Sequence, residues 1–234
     1  MKLRVAAILL CIGLQPATPL IAAGTAAEGR TIIRLLKFES SGIITKSWEG
    51  EAEHAFYDDD EKCDADNYRC FEPTLEKFDV SVRQENKRII EFMRKNIGRE
   101  MVIVYRRHRV ASLALGSRLE ITNVFAQATR LPSGFPERVT AKITGSRNFS
   151  VYGRVLHLEK RGFAVQTWEG LYLDRTRRKV HPFSVSDDKM AEHLLKTIGY
   201  TRLFHMGVAK ALITAVRETK FDIFEVNYNE PARG

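Results

Sequence analysis

The chain has 234 residues, a net charge of +8 and three cysteines. That charge favours contact with anionic surfaces and is equally an ordinary solubility excess, and the cysteines have no companion Cys or His pair at a zinc-binding spacing. The most apolar run, Val5 to Leu14, is too short to cross a bilayer.

That run opens the chain. Lys2 and Arg4 precede it, and Pro16, Pro19 and small residues from Ala22 to Ala27 follow it. This is the charged, apolar and cleavage order of a secretory signal peptide, so residues 1–26 are expected to be removed on export to the periplasm or beyond. Cys11 lies inside the apolar run behind a leucine, which argues against lipidation. Removing Lys2 and Arg4 takes the net charge from +8 to +6, and the mature chain keeps no span of its own.

Arg34 to Phe38 and Ile43 to Glu49 read as a hairpin turning at Gly42. A long loop follows, with Asp58, Asp59, Asp60, Glu61, Asp64 and Asp66 between and around Cys63 and Cys70. In an oxidising compartment these two cysteines are expected to pair, removing roughly 2.5 kcal/mol of unfolded-chain entropy. Asp58, Asp60, Asp64 and Asp66 give alternating oxygen ligands of the kind calcium takes, without the glycine and terminal glutamate of an EF-hand. Next come a strand carrying Val80 and Val82, a helix marked by Ile89, Ile90, Met93 and Ile97 and ended at Gly98, and strands Met101 to Tyr105 and Leu119 to Val124. The segment 127–150, with Pro132, Gly134 and Pro136, reads as a linker, and Val139 to Ile143 as a further strand within it.

From residue 151 the series repeats. Arg34 to Gly50 aligns without a gap on Arg154 to Gly170, with both Trp-Glu-Gly triplets in register. Phe183-Ser-Val185 answers Val80-Ser-Val82, and Ile198-Gly199 answers Ile97-Gly98. Met190, Leu194, Leu195 and Ile198 mark the second helix, which Ser186 or Asp187 can cap. Strands at Arg202 to Met206 and Phe221 to Val226 close the series. The expected domains are therefore 30–126 and 151–230, two tandem copies of one unit. Strand, strand, strand, helix, strand, strand is the OB-fold order, so the predicted class is mainly β with one helix per repeat, as two small OB-like barrels.

The run from Gly162 to Gly170, followed by Phe183-Ser-Val-Ser186, an amphipathic helix and Ile198-Gly199, resembles small bacterial cell-envelope proteins with a GxxxKTYEG hairpin and an FSV strand. Some of these carry a phosphogluconate dehydrogenase label, which this sequence does not support: no G-x-G-x-x-G follows a strand. The resemblance implies an envelope location and no defined activity. Those proteins look like one copy of the unit, here doubled.

Alternation from Phe163 and Val165 predicts Glu169 inward and Trp168 outward, unless a bulge near Gly170 reverses the phase. Trp48 and Trp168 then read either as structural aromatics or as a stacking platform for bases or sugar rings. Equivalent loops carry opposite charge: the acidic loop above, and Asp174-Arg175-Thr-Arg177-Arg178-Lys179 in the second copy. With Arg106, Arg107 and Arg109, the basic loop is a candidate anion-binding patch, or a dock for the acidic loop of another copy. No catalytic motif, cofactor fingerprint or histidine cluster appears in the sequence. The leading expectation is an exported, non-enzymatic binding or interaction module of the envelope, taking an envelope protein or an anionic polymer as partner and no cofactor. The rivals are a nucleic-acid or anionic-glycan binder, and a hydrolase or isomerase using Glu49 and Glu169 as acids.

Overall fold

The computed structural model describes residues 25–42, 46–57, 73–110, 112, 114–142, 145–162, 165–177, 179–211 and 217–228. Residues 1–24 of the expected signal peptide, 1–26, lie outside these. So do Asp58, Asp60, Asp64, Asp66, Cys63, Cys70 and Arg178.

The first copy comprises β1 (Thr25–Ser41), β2 (Ser47–Tyr57), β3 (Pro73–Arg83), α1 (Lys87–Lys95), β4 (Glu100–His108) and β5 (Leu119–Ala126). The second comprises β7 (Gly145–Arg161), β8 (Thr167–Asp174), β9 (Lys179–Val185), α2 (Asp188–Thr197), β10 (Phe204–Ala211) and β11 (Phe221–Asn227). Between them β6 (Arg138–Thr140) pairs with β11, so part of the segment expected as linker joins the sheet. The first strand of each copy is far longer than its hydrophobic pattern marks, because a bulge, between Leu35 and Lys37 and again between Val155 and His157, bends the strand between different partners.

Strand pairing follows the duplication. In the first copy the path runs β1-β2-β3-β5-β4 and returns to β1; in the second it runs β7-β8-β9-β11-β10 and returns to β7. The weakest step is equivalent in both, a parallel contact through one residue pair, Ser81 with Glu120 and Ser184 with Asp222. Every other step is antiparallel. One antiparallel ladder, Ala27 to Thr31 of β1 against Arg161 to His157 of β7, joins the copies.

Each copy has its own buried cluster. Ile33, Leu35, Val80, Val82, Met93, Ile103 and Ile121 centre the first, and Leu158, Phe183, Met190, Leu194, Phe204, Met206 and Ile223 the second. The second cluster also takes in Val102, with Ile32 and Phe125 packed on it, so the outer face of β1, β4 and β5 is covered by the second copy. Asp187 caps α2 by accepting from the Met190 amide at 2.7 Å, and Gly98 and Gly199 end both helices at φ +80° and +104°. Ile97, read as part of the first helix face, lies past its end and is 44% exposed.

Candidate functional site

The Trp-Glu-Gly triplets adopt the reverse of the phase read from Phe163 and Val165. Val165 precedes β8 and is 53% exposed, so the alternation does not run through it. Trp168 lies opposite the core residue Val185 and packs on the second cluster, and Trp48 lies opposite Val82 and packs on the first. Each indole carries a cation on its face, Arg94 at 5.1 Å over Trp48 and Lys160 at 5.2 Å over Trp168. The Trp168 indole N–H also donates to Asp188 at 2.6 Å, tying β8 to the start of α2.

Glu49 and Glu169 face away from these cores, each under a loop. Glu49 accepts from the Ser47 and Ser81 hydroxyls, both at 2.5 Å, and from the Gly116 amide at 3.0 Å. Glu169 accepts from Ser184 at 2.6 Å, and Ser184 lies 3.3 Å from the Thr219 hydroxyl. Burial pushes the Glu169 carboxyl up. These clusters brace the single-pair parallel step in each copy. Beside them Glu120 accepts from Arg83 at 2.5 Å and contacts His108 at 2.7 Å, while Asp222 holds Arg217 at 2.9 Å and the Ser186 hydroxyl. With two hydroxyl donors and one amide donor, Glu49 has the setting of a structural carboxylate.

The joint between the copies holds a second polar cluster. Gly29 of β1 lies between Tyr105 of β4 and Glu159 of β7 in one cross-strand row. A Cβ on Gly29 would come within 2.4 Å of the Leu158 carbonyl oxygen, so glycine permits the approach of β7. Through that gap the Tyr105 hydroxyl donates to Glu159 at 2.6 Å, both residues being buried. Burial opposes ionisation of Glu159, but neighbouring His157, Arg107, the Tyr105 hydroxyl and Arg161 outweigh it and hold the carboxyl below its usual range. Burial pushes His157 down to about 4.

On the opposite side of the same strands, Trp168, Lys160, Glu28 and Arg106 occupy the next row, across β8, β7, β1 and β4. Beside them a cleft of about 230 Å³ opens between the copies, lined by Glu28, Arg30, Val104, Arg106, Trp168 and Leu195 among others. Arg30 stacks on Phe125 at 4.7 Å, and burial pushes its guanidinium pKa down. Among the described residues no carboxylate lies within ion-pair distance of Arg30 or Arg106.

Two sequence candidates, Trp168 and Arg106, therefore meet in one cleft. Arg107 turns to Glu159 at 3.7 Å instead. Arg109, just past the end of β4, is half-buried. The basic loop is elsewhere: the Arg175 amide bonds the Tyr152 carbonyl, eight residues along β7 from Lys160, or roughly 25 Å of strand. There Arg175 and Arg177 are exposed, Lys179 is half-buried, and Asp174 lies 3.5 Å from Arg177. The two basic groups thus lie apart, one on β4 in the row of Lys160 and the other beside Tyr152. Sequence reading missed Arg30 because it began the first strand at Arg34; the alternation of Glu28, Arg30 and Ile32 against Gly29, Thr31 and Ile33 was the available signal.

Among the described residues no group of three or more His, Cys, Asp or Glu is placed to hold a metal, and no helix is long and apolar enough to cross a membrane. No curated protein matches the chain. One family model does, over residues 24–131 and 145–233, which fits a tandem duplication of a single unit. The chain belongs to that family, described as a domain of unknown function (DUF8785).

Proposed function

We propose that this chain is an exported, non-enzymatic binding module of the bacterial envelope, made of two OB-like barrels, with its site in the cleft between the copies. The barrel reading is supported by a five-strand path that returns on itself in each copy with the helix between third and fourth strands. Export is supported by the charged, apolar and small-residue order of the first 27 residues, and the envelope by the likeness of the second copy to small envelope proteins.

The observation that carries the site is the cleft itself. Both copies build it, and it joins a stacked arginine without a carboxylate partner among the described residues to a tryptophan and a second arginine. A concave site with an apolar wall and a few convergent polar groups is the usual form of a ligand pocket.

A photo-crosslinking residue at Arg106, with one at exposed Arg88 of α1 as control, tests this in cells. The expected result is an adduct specific to position 106 in the envelope fraction. Equal labelling at both positions, or turnover of a small substrate by the purified protein, removes the reading.

A further inference from the structure

The lining of the cleft defines what it holds. Arg30 is fixed on Phe125 and half-buried, so its guanidinium is already stacked and partly desolvated before any ligand arrives. A planar, stacked guanidinium presents a fork of N–H donors matched to carboxylate and phosphate oxygens. Arg106 supplies a second positive charge at the rim, where Glu28 supplies one negative charge. Val104, Leu195 and Trp168 offer apolar surface on the remaining side. About 230 Å³ is too little for a folded partner or a run of polymer, and it suits one ring with one substituent.

We propose that the cleft binds a small organic oxyanion: a single apolar or aromatic ring bearing one carboxylate or phosphate, with the oxyanion on Arg30 and Arg106 and the ring against Val104, Trp168 and Leu195. This deepens the binding-module reading and rests on it. Neither copy alone completes the site, because Arg30 and Arg106 come from the first and Trp168 and Leu195 from the second.

Phenyl phosphate, benzoate, inorganic phosphate and phenol are titrated into the full mature chain by calorimetry. The sequence has two tryptophans, so in a Trp48→Phe background Trp168 emission gives a second readout. Saturable binding of phenyl phosphate or benzoate, stronger than of inorganic phosphate or phenol, is expected. Arg30→Gln is expected to weaken it by about tenfold or more, as for a lost charge-assisted bond. Arg30→Lys should fall between Arg30→Gln and the parent, Glu28→Gln should tighten binding, and Arg88→Gln should leave it unchanged. Thermal melts establish that each variant is folded.

No saturable binding of either aromatic anion, or binding indifferent to both Arg30 variants, overturns the proposal. So does tighter binding of short oligothymidylate or heparin oligosaccharide that Arg30→Gln leaves intact, since that ligand would lie elsewhere. If the anions fail while position 106 still yields a specific adduct, the ligand class falls and the binding module stands. If both fail, both fall.

Discussion

Tyr105 and Glu159 show how one residue's absence of a side chain organises its neighbours. With no Cβ at Gly29, a carboxylate of the second copy reaches a phenol of the first. The bond is charge-assisted and buried, so Tyr105→Phe is expected to cost about 2 kcal/mol in urea unfolding at pH 7. An unchanged midpoint would remove the Tyr105–Glu159 bond from the cohesion of the joint. Histidine burial sets a second expectation. His157 and His181 are each pushed down to about 4 by burial, against 6.5 when unfolded. Between those values the unfolded chain binds more protons. Stability present above pH 6.5 should therefore fall as pH drops towards 4, by up to about 1.4 kcal/mol per pH unit for each histidine. His181→Phe, keeping an aromatic ring against Tyr172, should flatten that slope; an identical pH profile would show that His181 does not contribute.

At the level of elements, β1 does the most. It pairs with β2, β4 and β7, and its approach to β7 depends on Gly29. Gly29→Ala would set a Cβ against backbone of Leu158 and Glu159, and a cost on the order of 3 kcal/mol is expected in chemical denaturation. A change within experimental error would mean that the ladder relaxes freely. The element order, the helix faces apart from Ile97 and the helix-ending glycines were legible in the sequence, because alternation and the spacing of Ile89, Met93, Met190 and Leu194 are local signals. The full length of β1 and β7 was not. Polar residues such as Glu28, Arg30, Glu159 and Lys160 occupy the strand segments that lie between the copies, and a hydrophobic pattern passes over them. Counting from Val165 puts Trp168 outside because Val165 lies before β8, and of the two phases open in the sequence the structure adopts the one that turns Trp168 inward. Arg106 was visible as a basic residue, whereas its meeting with Arg30 and Trp168 depends on three-dimensional pairing between copies that no local spacing encodes.

For the whole molecule, the expected processing site meets the fold. Ala27 is buried in β1 opposite Arg107 and Arg161, so cleavage that spares the ladder has to fall before it. Mass spectrometry of the processed chain is expected to place the mature N-terminus at or before Ala27. A start beyond Ala27 would remove the first rung joining the copies and contradict the arrangement described.

The duplication also leaves something undone. Because the two long strands are equivalent, the front half of β1 lying on the back half of β7 has a mirror-related counterpart, the back half of β1 on the front half of β7. Among the described residues only the former is made. Lys37 to Ser41 therefore keeps one flank without a ladder, and it carries an exposed pair of opposite charges, Lys37 and Glu39 at 2.6 Å. Charges along an uncapped strand discourage sideways stacking of one molecule on the next. Duplication thus covers one such margin within the chain and leaves the other edged with charge.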